Sequence, residues 1–136
     1  MIGLVLVGHG DLARVLLDTA TEIVGPIEPA VALSVGRHEN LKDVEDRIRE
    51  AVAKVDRGSG VLVLADMFGG TASNVALQLL GDLPIEIVTG FSLPMLLKLS
   101  TAMKAASDLA ALSQLLKAYG QKHVLVASEM LRGREV

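Results

Sequence analysis

Cysteine and tryptophan are both missing from this 136-residue chain, which holds only one tyrosine and two phenylalanines. Without cysteine there is no disulfide, no thiolate nucleophile and no cysteine-ligated metal. So few aromatic rings leave almost nothing to stack on nucleobases. With 13 basic and 16 acidic residues, the net charge of -3 argues against nucleic acid or an anionic membrane as a direct partner. Hydrophobic content is 51%, yet no apolar run nears the roughly 18 residues needed to cross a bilayer. The start, Met1-Ile2-Gly3-Leu4, has neither a basic segment nor a small-residue cleavage signal, so it does not read as a secretory peptide. These absences together predict a cytoplasmic location and a single domain over 1-136.

What is present is alternation. Ile2 to Val7 is apolar apart from Gly3, as expected of a strand covered on both faces. Leu12, Val15, Leu16, Thr19 and Ile23 then recur at helical spacing until Gly25-Pro26 stops the helix. Ala30 to Val35 reads as a second strand. A helix follows from Asn40, an N-cap residue, with Leu41, Val44, Ile48, Val52 and Val55 on one face. Val61 to Ala65 is a third strand, Thr71 to Leu80 a helix, and Ile85 to Thr89 a fourth strand. Ser92-Leu93-Pro94 opens another helix, and a further one covers about Leu109 to Tyr119. His123 to Ala127 is expected as a last short strand, and the polar tail after about residue 128 as an extension. This order predicts an α/β fold: a mainly parallel, four-stranded open sheet with helices on both faces.

Sites in such sheets form beyond the carboxyl ends of the strands, where strand order reverses. The first strand ends in Gly8-His9-Gly10-Asp11, the third in Asp66-Met67-Phe68-Gly69-Gly70-Thr71, the fourth in Thr89-Gly90-Phe91-Ser92. If the first and third strands are neighbours, His9 and Asp66 meet. A carboxylate accepting from Nδ1-H would leave the Nε2 lone pair free and favour a positive ring as Nε2 attacks an electrophile. Gly69-Gly70 at a helix start would let backbone amides approach an anion, and Thr71 and Ser73 would add hydroxyls. Those are parts for phosphoryl transfer through phosphohistidine. Each has a blander reading: a structural histidine, a helix-capping aspartate, a tight turn. His38, in the polar loop 36-40, reads as solvated, and His123 as edge decoration. Three scattered histidines without a His-x-x-x-His pair predict no metal site.

Val5-Leu6-Val7-Gly8-His9-Gly10, the stretch Gly60 to Thr71 with Asn74, and Val88 to Leu96 resemble the IIA component of mannose-family sugar phosphotransferase systems, over essentially the whole chain. The resemblance implies that His9 accepts phosphate on Nε2 from the phosphocarrier protein HPr and passes it to a IIB component on a separate chain. It implies that Asp66 holds the other ring nitrogen and that no cofactor is needed. Gly10, Gly69, Gly70, Thr71 and Ser73 would contact phosphate, with Phe68, Asn74 and Ser92 in support. It further implies a homodimer that exchanges a terminal antiparallel strand, matched here by His123 to Ala127, and contact with a membrane only through a transporter. Gly8 stands where the family often has threonine, Thr71-Ala72 replaces a common Ser-Pro, and Ser92 replaces a frequent asparagine. Other readings are a regulatory module that reports phosphorylation state, a subunit serving dihydroxyacetone kinase, and Asp66 itself as phosphoacceptor, as in receiver domains.

Overall fold

A computed structural model describes residues 1-36, 38-67 and 71-133; for 71-74 and 133 it describes the backbone alone. The elements run β1 (Gly3–His9), α1 (Leu12–Val24), β2 (Ala30–Val35), α2 (Leu41–Val55), β3 (Val61–Ala65), α3 (Thr71–Asp82), β4 (Ile85–Thr89), α4 (Leu93–Ala105), α5 (Leu109–Lys122) and α6 (Ala127–Gly133). All strand pairings are parallel, in the order β2-β1-β3-β4. The switch point therefore falls between β1 and β3.

Strands covered on both faces need apolar residues at every position, and here the two faces use different ones. Leu4 and Leu6 of β1 and Leu62 and Leu64 of β3 pack with α1, α4 and α5. Val5, Val61 and Val63 point the other way, into the layer of α2 and α3. Gly3 interrupts the first apolar run because the last turn of α2 presses on it: a Cβ there would overlap the carbonyl oxygen of Val55. On α1 the side that sinks furthest is not the leucine-rich one. Ala13 and Ala20 are fully buried, letting the helix lie close to the sheet, while Leu12, Val15 and Ile23 remain about half exposed.

Helix ends follow the expected chemistry. Asn40 Oδ1 accepts from the Lys42 N–H at 2.7 Å to cap α2. Gly25, with φ of 86°, closes α1 by donating to the Thr21 carbonyl before Pro26.

The carboxyl end of the chain departs from expectation. Residues 123-127 form no strand. Instead α5 runs on to Lys122, and His123 ends it, its N–H reaching the Tyr119 carbonyl at 3.2 Å. Its ring lies 4.0 Å from that of Tyr119. Val124, Leu125 and Val126 are exposed between α5 and α6, and the tail from residue 128 to 133 is helical rather than extended. β-branched residues favour strands only when a neighbouring strand supplies ladder bonds. Among the described residues this segment makes no strand pairing.

Candidate active site

The register of β1 against β3 makes the site. Val7 pairs with Ala65, and the Asp66 N–H donates to the Val7 carbonyl at 3.1 Å. The next residues of each strand thus emerge side by side at the carboxyl end of the sheet. Asp66 Oδ2 accepts the His9 backbone N–H at 2.9 Å and lies 2.8 Å from His9 Nδ1. Oδ1 accepts the Met67 N–H at 2.8 Å. One carboxylate so binds both the backbone and the ring of a single histidine.

Burial alone would push the Asp66 carboxyl up, but the His9 N–H, the His9 ring and the Met67 N–H together hold it below its ordinary value. An ionised carboxylate only accepts, so Nδ1 carries a proton, and in the neutral ring Nε2 then bears the lone pair. The His9 side chain is 63% exposed against 15% for Asp66. No described residue hydrogen-bonds Nε2. The less exposed partner holds one edge of the ring and leaves the other open.

Gly10, with φ of 56°, turns the chain immediately after His9 and donates to the Val35 carbonyl at 3.2 Å. A side chain there would be strained in the left-handed region. Gly8 is tight for a different reason: a Cβ would stand 3.1 Å from the Ala13 nitrogen and 3.3 Å from Phe91 Cζ. A threonine at this position would press on α1 and Phe91. Ser92 Oγ is buried without a partner among the described residues, and Ser92 caps α4 by position but its side chain accepts no N–H from the first turn.

The other expected contributors are placed only in part. Phe68, Gly69 and Gly70 lie outside the described residues. Thr71, Ser73 and Asn74 belong to the first turn of α3 by their backbone. His38 is exposed beyond the end of β2, and His123 caps the end of α5 instead of opening the strand expected there.

Glu39 escaped the sequence reading. It accepts from the Gly36 N–H at 3.0 Å and from Arg47 at 2.6 Å, while Arg47 also reaches the Ser34 carbonyl at 2.8 Å. The Gly36 N–H, then Arg47, hold its carboxyl below the usual range. This clamp fastens the loop after β2. Glu39, His9 and Asp66 all border a largely apolar cavity of about 120 Å³, walled by Val7, Val44, Val63 and Val75. An acid eight residues ahead of an arginine, across a helix start, has no periodic signature.

Residues 3–117 match the family EIIA-man, described as PTS system fructose IIA component. The PTS system fructose-specific EIIA component of Bacillus subtilis (strain 168) is 29% identical over 132 residues, 96% of this chain and 90% of that protein. The PTS system mannose-specific EIIAB component of Escherichia coli (strain K12) is 32% identical over 98 residues, 71% of this chain but 30% of that longer protein. Among solved structures, the mannose/sorbose specific IIA subunit of the phosphotransferase system from Enterococcus faecalis superposes with a TM-score of 0.79 at 28% identity, covering 92% of this chain and 93% of that one. Four parallel strands, a switch point occupied by His9 and Asp66, and a match running through all of them lead to one assignment: the chain belongs to the EIIA-man family and is a phosphoryl-transfer component of a sugar phosphotransferase system.

Proposed function

We propose that His9 carries the phosphoryl group on Nε2, receiving it from phospho-HPr and delivering it to a IIB component on a separate chain. The observation that carries this reading is the 2.8 Å contact of Nδ1 with Asp66, on a ring whose other edge is open. As the Nε2–P bond forms, the bond from phosphorus to the donor breaks. The imidazole becomes cationic, and the Asp66 carboxylate stabilises that charge by accepting the Nδ1–H hydrogen bond. Delivery to IIB reverses the sequence and restores the neutral ring. Gly10, Gly69, Gly70, Thr71 and Ser73 line the phosphate in this reading, with Phe68, Asn74 and Ser92 behind them. No cofactor takes part.

The working form is a homodimer in the cytoplasm, with the membrane reached only through a transporter. Two features support self-association. β4 is an edge strand with a groove of about 520 Å³ along it, and Val124, Leu125 and Val126 are an apolar segment without cover.

Labelled phosphoenolpyruvate with the general phosphotransferase proteins tests the assignment. The label is expected on His9, acid-labile and alkali-stable, and absent from His9→Ala. Label of the opposite stability, mapped to Asp66, would replace this mechanism with an acyl phosphate.

A further inference from the structure

The turn that carries His9 is held from both sides of β1, and the two sides are built differently. Towards β3, the His9 N–H and ring are taken by Asp66, which follows a strand buried along its whole length. Towards β2, the next N–H, that of Gly10, donates to the Val35 carbonyl at 3.2 Å. Val35 lies opposite His9 in the register and ends an edge strand that is partly exposed at every position. An edge strand has ladder bonds on one side only, and its end is among the first places to open locally. The reactive turn thus hangs on the least secured strand end unless something else ties that end down.

Arg47 and Glu39 supply that tie. From the second turn of α2, Arg47 Nη1 donates to the Ser34 carbonyl at 2.8 Å and to Glu39 Oε2 at 2.6 Å. The other carboxylate oxygen, Oε1, accepts the Gly36 N–H at 3.0 Å. Ser34 and Gly36 are the two neighbours of Val35, so the pair brackets the one residue whose carbonyl receives Gly10. Only 40% of the Arg47 side chain and 20% of the Glu39 side chain are exposed, and charge-assisted bonds with such partial cover hold better than those in open solvent. A second ion network on the same helix, Glu45 with Arg49 and Asp82, ties α2 to the end of α3 instead. The helix therefore carries two clamps, and only one of them leads to His9.

We propose that Arg47 and Glu39 are positioning residues for phosphoryl transfer: by bracketing Val35 they hold the Gly10 amide, and through it the main chain of His9, in line with Asp66. Neither residue touches the phosphoryl group. Their effect reaches the ring through the peptide that carries it, since a shift of that peptide spoils the contact between Nδ1 and the carboxylate. This role rests on the reading of His9 as phosphoacceptor.

The test uses the full chain with two donors, phospho-HPr and the small reagent phosphoramidate. In Arg47→Met, the single-turnover rates with both donors are expected to fall about tenfold, as small misplacements of a reacting group do, while KM for phospho-HPr stays within about threefold. Nitrogen NMR of the His9 ring is expected to show a more mixed tautomer, which a loss of stability alone would not produce. Arg47→Lys is expected to restore most of the rate, because both bonds leave one nitrogen and an ammonium can make them. Arg49→Gln, which cuts the other clamp, is expected to leave both rates alone. Where Arg47→Met does not fold, Glu39→Gln carries the same expectation at smaller size. Unchanged rates with both donors overturn the role, and so does an equal loss in Arg49→Gln. A rise in KM for phospho-HPr with normal labelling by phosphoramidate would make the pair part of a docking surface instead. Failure of both donors to label the unsubstituted protein would overturn the His9 reading itself.

Discussion

The two ends of β1 are bounded by residues of opposite kind. At the amino end Gly3 lies so close to the Val55 carbonyl that a side chain has no room. At the carboxyl end His9 stands largely in solvent, tied to its neighbours through Asp66. One end is closed by packing and the other is held by hydrogen bonds, and β3 runs between the same two layers. The sheet concentrates its stability in the middle and at its amino end, leaving the carboxyl end free to carry reactive groups that contribute little to packing.

Substitutions at the two ends sharpen that contrast. The largest effect expected is from His9→Ala: complete loss of label from phospho-HPr, with a melting temperature within a few degrees of the parent. The exposed ring takes little packing with it. Gly3→Val is the mirror case. Forcing α2 off the sheet is expected to cost about 3 kcal/mol or more, seen as a fall of roughly 10 °C in calorimetry. Any protein that stays folded should still label on His9. A Gly3→Val protein of parental stability would mean that α2 yields easily and that the amino end is not the tight one.

Asp66→Asn is expected to fold but transfer more slowly, by on the order of 10²-fold, because a neutral amide supports the cationic ring less well. Single-turnover kinetics with phospho-HPr reads this directly, and an unchanged rate would remove Asp66 from the mechanism. The smallest effect is in acid. Because Asp66 is held below its ordinary value, the unfolded chain takes up a proton there before the folded one does. Its contribution is therefore full above the usual carboxylate range and lost as pH falls through the folded value. The melting temperatures of parent and Asp66→Asn should converge as pH is lowered from 7 towards about 3. A constant gap would show that the charge of Asp66 adds nothing to folding.

Much of this architecture is legible in the residues. Unbroken short runs such as Val61 to Ala65, behind Gly60, read as double-covered strands, and Gly25-Pro26 or Asn40 mark helix ends by local chemistry. His9 and Asp66 could be named as unusual residues at strand ends, but their contact depends on β1 and β3 being neighbours. That is a property of topology, which local pattern does not encode. Glu39 stayed hidden for the same reason, since its partners are set by how a loop folds back on α2.

Val124 to Val126 mislead for a deeper reason. Their composition resembles that of β1, yet a strand is a relation between two segments, and this one pairs with no strand among the described residues. Leu12, Val15 and Ile23 of α1 make the same point for helices: regular spacing reveals that a side is apolar, not whether the rest of the chain will cover it.

A single oxygen, Asp66 Oδ2, grips His9 at two points, its main-chain amide and its ring. Such a chelate leaves the imidazole little freedom to swing away, so gaining or losing a charged group need not rearrange anything behind it. On the proposed reading of His9, a relay built this way resets between cycles without rearranging what lies behind the ring.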